Sequence, residues 1–234
     1  MKIAVLSSHT PSLFWFRIDM MKSFLSRGHE VFALGNEPEA DWAVKFSDLG
    51  ITYRQIDVQR NGTNPIKDLK SIGSIKSVLA EIMPDKIFTY QAKTVIYGTI
   101  AANRLGITEV YPLIAGLGSL YLKDDIKTKG IRTILMREYK DSMRKCPSVF
   151  FQNSDDEQTF RKKKVINKQK VVLLHGSGVN LEKFTEKMDA WKARYNHPDN
   201  IPIKATMAFT ARMFYMYPNV ARVWYDGLPK VTQD

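Results

Sequence analysis

Only one cysteine, Cys146, occurs in 234 residues. An internal disulfide is therefore excluded, and a reducing compartment fits. Placed just ahead of a strand-like run, Cys146 reads as a small buried hydrophobe. No apolar run is long enough to span a bilayer. The N-terminus does not read as a signal peptide either, because Ser7, Ser8, His9, Arg17 and Asp19 interrupt the apolar stretch between Lys2 and Lys22. The four histidines, His9, His29, His175 and His197, lack metal-ligand spacing. There is no Asp-x-Asp: Asp124-Asp125 and Asp155-Asp156 are adjacent pairs whose side chains point apart, so they read as helix caps. G-x-G-x-x-G is missing too, and with it the standard dinucleotide fingerprint. No metal and no cofactor is expected, and a hydrolase finds little support.

What the sequence has is hydrophobic mass and positive charge. Hydrophobic residues make up 44%, enough for a full core in one ordinary domain plus a fragment. The 35 basic and 24 acidic residues leave a net charge of +11 and a pI near 9.6. Such an excess asks for an anionic partner: nucleic acid, acidic lipid headgroups or a phosphorylated small molecule. No aromatic-basic recognition motif accompanies the charge, so no nucleic acid is expected.

Short apolar runs alternate with helical patterns. Strands are expected at 2–6, 30–34, 52–56, 86–90, 109–114, 149–152 and 170–174. Helices are expected from Ser12 to Arg27, then at 40–49, 65–82, 94–105, 131–144 and 155–163. In the first helix Ser12 serves as cap and Phe16, Met20, Phe24 and Leu25 form the apolar face. The fold class is α/β: a Rossmann-like parallel sheet with helices on both faces. Residues 1–184 form this domain, 185–203 read as a linker containing a charged helix, and 204–234 read as the start of a second domain.

Ligands of such sheets sit at the carboxyl ends of the strands. The loop Ser7-Ser8-His9-Thr10-Pro11-Ser12 lies there, with hydroxyls and an imidazole suited to a phosphate or a sugar. One of the three aromatics Phe14-Trp15-Phe16 must point away from the core, and Arg17 beside them can meet a phosphate. Gln91-Ala92-Lys93 follows another strand end, where Lys93 can hold an anion. The pair Gly116 and Gly118, followed by Ser119, lets backbone N–H groups approach a ligand closely. The densest basic stretch comprises Lys123, Lys127, Lys129, Arg132, Arg137, Lys140, Arg144 and Lys145, as expected for an anionic membrane surface or a lipid diphosphate. A solvated helix face is the plainer reading of that run.

Taken together the motifs resemble the family-four retaining glycosyltransferases of GT-B architecture that build bacterial surface polysaccharides and lipid-linked oligosaccharides. The matching residues are Ser8-His9 after the first strand, Phe16-Arg17, Tyr97-Gly98, Ile114 to Ser119, Phe150-Phe151-Gln152-Asn153, Gly176 to Phe184 and Ala211-Arg212. The resemblance implies that this is the N-terminal half of a GT-B fold, and that its domain grips an acceptor, often a saccharide on a polyprenyl diphosphate. Ser8, His9, Arg17, Lys93, Gly116, Gly118 and Ser119 would bind that acceptor, and Gly178 and Arg212 would touch a UDP-linked nucleotide-sugar donor. No catalytic side chain is assigned, because positioning and charge stabilisation carry such a reaction. A cytoplasmic location, peripheral at the inner face of the membrane, is implied as well. Two departures stand out. Tyr217 occupies the place of the family's diphosphate-clasping Lys, and no two glutamates carry the family's later spacing. The chain is accordingly expected to be incomplete as a transferase by itself, or else to be a non-catalytic acceptor- or membrane-binding module.

Overall fold

The computed structural model describes residues 1–59, 65–117, 121, 125–167, 169–174 and 176–178. They lie in one compact unit, Met1–Gly178; the second unit, Val179–Asp234, is outside the described residues. The expected charged helix, linker and second domain therefore fall outside them, as do Gly118, Ser119 and Arg212.

The alternating runs fold as the α/β pattern requires. In chain order the elements are β1 (Lys2–Leu6), α1 (Thr10–Phe16), α2 (Ile18–Ser26), β2 (Glu30–Gly35), α3 (Glu39–Ser47), β3 (Thr52–Gln55) and α4 (Pro65–Ile82). There follow β4 (Lys86–Tyr90), a π-helical turn (Thr94–Gly98) running directly into α5 (Thr99–Arg104), β5 (Val110–Ile114), α6 (Ile126–Met143), β6 (Ser148–Phe151), α7 (Ser154–Lys162) and β7 (Lys170–Leu173). The strands make one sheet in the order β3-β2-β1-β4-β5-β6-β7, and every pairing is parallel. The order reverses between β1 and β4, so the crevice that open α/β sheets use for ligands lies at the carboxyl ends of these two strands.

Strand alternation divides the core. Ala4, Leu6, Leu34, Ile87, Val149 and Phe151 face α4 to α7, together with Ile75 and Leu79 of α4 and Phe160 of α7. Val5, Val31, Ala33, Tyr53, Tyr90 and Leu113 face the other way and meet Leu13, Ile18, Met21 and Phe46 of α1 to α3. Phe46 is stacked on Tyr53 with ring centres 5.2 Å apart. The fully buried Phe46 and Phe160 anchor the two halves, and truncating such a ring typically costs ~3–5 kcal/mol.

Helix α1 departs from the expectation. It begins at Thr10, with His9 as N-cap and Pro11 in its first turn, so Ser12 is not a cap but a buried residue inside the helix. At Arg17 the backbone leaves helical geometry (φ −125°, ψ −4°) and α2 restarts at Ile18. The break resets the helical phase. Leu13, Ile18 and Met21 become the buried face, while Met20, Phe24 and Leu25 pack only at its rim. Trp15 is the aromatic that points outward, and Phe14 packs on Trp42 and Phe46. Helix α6 also starts earlier than residue 131, because Asp125 caps it by accepting from the backbone N–H of Thr128 at 2.9 Å. Asn153 caps α7 in the same way, with Asp155 and Asp156 in the first turn. Cys146 is buried, and burial pushes its thiol up to about 12.

Candidate functional site

The loops leaving β1 and β4 meet at the switch point and are knitted together by side chains. Gln91, the residue after β4, lies in the left-handed region (φ 71°), which a residue with a Cβ adopts only when its surroundings hold it there. The holding contacts converge on its amide oxygen, which accepts from the Ser7 hydroxyl (2.9 Å), the Ser8 backbone N–H (2.9 Å) and the Ser8 hydroxyl (2.8 Å). Its amide nitrogen donates to Ser12 Oγ at 3.2 Å. Ser12 Oγ in turn lies 2.8 Å from the buried Tyr90 hydroxyl and 3.0 Å from Ser7 Oγ. Ser7, Ser8 and Ser12 are all buried. The result is a polar floor built from two segments more than eighty residues apart in sequence.

A second network fixes the start of α1. Tyr53 donates its hydroxyl proton to the Glu37 carbonyl (2.7 Å), so its oxygen accepts from the Thr10 hydroxyl (2.9 Å). Thr10 Oγ1 accepts from the Glu37 backbone N–H (3.0 Å). Burial pushes the Tyr53 phenol up to about 12, so it stays a donor at neutral pH. Gly35 makes the packing possible: a Cβ there would lie 2.3 Å from Thr10 Oγ1 and 2.8 Å from the Tyr53 hydroxyl. The Glu37 carboxylate accepts from Trp42 Nε1 (2.6 Å) and lies 3.9 Å from His9 Nδ1. The imidazole is thus placed at the rim of the floor beside a fixed carboxylate.

Arg17 lies at the break between α1 and α2 and is only 6% exposed. Its guanidinium rests over the Tyr90 ring (4.5 Å to the centre) and extends toward Phe88 (5.9 Å). Among the described residues it makes one hydrogen bond, from Nη1 to the Phe16 carbonyl (3.1 Å). Nε is buried without a partner. Removing the charge from water costs several kcal/mol, and a stacked ring returns only about 2 kcal/mol. Burial accordingly lowers the Arg17 pKa from its ordinary value, with the Tyr90 hydroxyl opposing.

Lys93 is placed differently. It turns to the layer of α4 and the π-turn, where Nζ donates to Asp68 Oδ1 at 3.1 Å, and both side chains are largely covered. Asp68 also engages the Tyr97 hydroxyl, whose pKa is raised first by burial and then by that carboxylate. Burial and the Asp68 charge raise the Glu138 carboxyl, while Lys93 opposes them. A carboxylate of the chain itself therefore occupies the cation expected to hold an anion. The π-turn buries all five of its residues, and a Cβ on Gly98 would lie 2.9 Å from the Leu6 side chain, so helix and strand approach closely here.

Of the remaining expected residues, Gly116 follows β5 in an exposed stretch with φ 149°, which favours glycine. Gly178 has φ 73°, and neighbouring Ser177 Oγ accepts from Gln152 Nε2 at 2.9 Å. The fold brings Ser8 and His9 onto one loop and places Arg17 and Lys93 on opposite faces of the sheet. Reading residue by residue passed over Gln91, Glu37 and Asp68 as site members. For Gln91 the available signal was an amide directly after a strand end at the switch point.

A Rossmann-like sheet with a polar floor at its switch point is shared by many ligand-binding domains, and the fold alone does not name the ligand. The sequence makes the class specific: the glycosyl transferase 4-like family matches residues 2–152, and the chain belongs to that family. Over 184 residues it is 28% identical to the N,N'-diacetylbacillosaminyl-diphospho-undecaprenol alpha-1,3-N-acetylgalactosaminyltransferase of Campylobacter jejuni, covering 79% of this chain and 48% of that one. The chain thus spans about half the length of the curated relative it matches. Among solved structures, sucrose-phosphate synthase from Thermosynechococcus elongatus superposes with a TM-score of 0.62 at 16% identity, over 86% of this chain and 54% of that one. A glycosyltransferase from Rickettsia africae gives 0.53 at 15% identity, over 86% and 50%. UDP-GlcNAc 2-epimerase from Neisseria meningitidis gives 0.52 at 17% identity, over 86% and 56%. At these identities the likeness is one of fold, and a transferase and an epimerase share it, so the fold alone does not choose the reaction.

Proposed function

We propose that this chain is the acceptor-side half of a glycosyltransferase that moves a sugar from a UDP-linked donor to a saccharide carried on a polyprenyl diphosphate. The observation that carries the reading is the floor of Ser7, Ser8, Ser12 and Gln91 at the switch point of a chain belonging to the glycosyl transferase 4-like family. The activity of the Campylobacter jejuni relative, which acts on an undecaprenol-diphosphate saccharide, supports the lipid-linked acceptor. His9 offers an imidazole to acceptor hydroxyls, while Ser8, whose hydroxyl is given to Gln91, shapes the loop that carries it. Gly116, with Gly118 and Ser119, supplies backbone N–H groups, and Gly178 and Arg212 belong to the donor side. Little covalent chemistry is asked of these residues: they hold the acceptor so that the donor carbon is within reach, which is the larger part of such catalysis.

The exposed stripe of α6 supports a membrane contact. Ile126 and Ile134 are 90% and 62% exposed on the same helix as Lys129, Arg137, Lys140 and Arg144. Basic residues interleaved with exposed aliphatics suit an anionic interface. Flotation with vesicles containing phosphatidylglycerol, against vesicles of phosphatidylcholine alone, tests it: retention only on the former is expected.

The activity test joins this chain to a donor-binding half and supplies radiolabelled UDP-N-acetylgalactosamine with an undecaprenyl-diphosphate saccharide. Label is expected in the lipid phase; its absence with every UDP-sugar tried would sink the reading. Tyr217 in place of the expected Lys favours the second reading, a non-catalytic acceptor module. Micromolar binding of UDP to the chain alone speaks for the transferase, whereas acceptor binding without any UDP binding speaks for the module.

A further inference from the structure

The guanidinium of Arg17 has five N–H donors. Among the described residues one of them is used, from Nη1, and Nε is buried without a partner. A side chain so enclosed normally has its polar atoms satisfied, and an exception asks for a reason: strain, a functional role, or a water or ion that completes it. Nε and Nη2 form the side edge of the guanidinium, the edge that grips two oxygens of a phosphate at once. Glu37, at the rim of this loop, is held by Trp42, and Asp68 is held by Lys93 on the other face.

The surroundings are set up for such a guest. The guanidinium plane is fixed by the Tyr90 ring, and the Tyr90 hydroxyl is fixed by Ser12. Ser12 belongs to the same floor that holds Ser8 and Gln91, so the unpartnered edge of Arg17 and the hydroxyls of the floor are joined through Tyr90. Half-buried Phe88 and Phe150 continue the aromatic surface beyond Tyr90, with ring centres 6.4 Å apart.

We infer that Arg17 is the oxyanion-binding residue of this half, taking a diphosphate in two parallel hydrogen bonds from its unpartnered edge while Tyr90 holds its plane. The inference rests on the acceptor reading for the identity of the ligand but not for the existence of the site. Two ligands carry this chemistry, the lipid diphosphate of the acceptor and the diphosphate of the donor nucleotide, and the acceptor is favoured because the edge is joined through Tyr90 to the floor of Ser8 and Gln91.

The test is calorimetric titration of the chain with inorganic pyrophosphate, farnesyl diphosphate and UDP, repeated on Arg17→Met and Arg17→Lys. Pyrophosphate and farnesyl diphosphate are expected to bind, to weaken at least about tenfold in Arg17→Met, and to recover part of the loss in Arg17→Lys, which keeps the charge without the fork. An equal loss for UDP alone would support the site and reassign its source to the donor. Unchanged pyrophosphate affinity in Arg17→Met, with circular dichroism showing an intact fold, overturns the inference, as does absence of pyrophosphate binding by the unaltered chain. Glycosyl transfer plays no part in these measurements. A failed transfer assay with Arg17-dependent pyrophosphate binding would thus remove the proposed function and leave this site standing.

Discussion

Arg17 and Lys93 are the two basic residues that the sequence marks beside the crevice, and the fold treats them in opposite ways. Lys93 faces the layer of α4 and meets a carboxylate of the chain at 3.1 Å. Arg17 faces the layer of α1 and α2, is more fully enclosed, and among the described residues meets rings and one carbonyl. A buried cation with its counter-ion contributes to holding the fold together; one without it is held in place by the fold. The contrast separates a structural charge from a charge kept for a ligand.

The largest expected effect breaks the Lys93 side. Asp68→Ala should destabilise the chain by about 2–3 kcal/mol, below the value for a fully buried pair because both partners keep some exposure. Urea unfolding would measure it, and Asp68→Ala/Lys93→Met should recover a substantial part, since no orphan charge then remains. Next in size is Gly35→Ala, which pushes a methyl into Thr10 Oγ1 and the Tyr53 hydroxyl and loosens the start of α1. A loss of about 1–2 kcal/mol is expected, and it should weaken ligand binding through Arg17 as well. Arg17→Met should change stability by no more than about 1 kcal/mol, and in the stabilising direction, because an apolar chain of similar length replaces an uncompensated charge. A large destabilisation there would make the two cations alike and erase the contrast.

The smallest effect is one of pH. Burial and Asp68 raise the Glu138 carboxyl in the folded state. The folded protein therefore holds that proton more tightly than the unfolded chain, and stability falls as pH climbs through the interval above the ordinary glutamate value. Glu138→Gln should remove this loss, so the variant is more stable than the parent at pH 7 and equal to it in acid. Thermal melts at both pH values check the sign. A stabilising Glu138→Gln would show that burial and Asp68 together outweigh the pull of Lys93 on this carboxyl.

Much of the fold was legible in the chain because its signals are local. The runs 2–6, 30–34 and 86–90 are short and mostly apolar, as strands covered on both faces are, and Gly28 and Gly106 end their helices at φ 76° and 77°. The break at Arg17 was not legible. The aromatic run around it has the same spacing with or without a kink, so no local pattern announces it. For the candidate site only the place was legible, at the strand ends of the switch point. Ser8 and His9 lie where strand ends and switch points put ligands, but the left-handed Gln91 and the Asp68 partner of Lys93 depend on contacts between distant segments. No periodicity encodes such contacts.

The bonds from Ser8 to Gln91 join residues 83 positions apart. During synthesis, the loop after β1 therefore emerges long before the residue that completes it, and only closure of a long chain segment assembles the floor. Recognition is thus a property of the finished sheet and not of any nascent fragment. A ligand seated there would stabilise the association of β1 with β4 by mass action, and so would act as a chaperone for the central pairing of its own receptor.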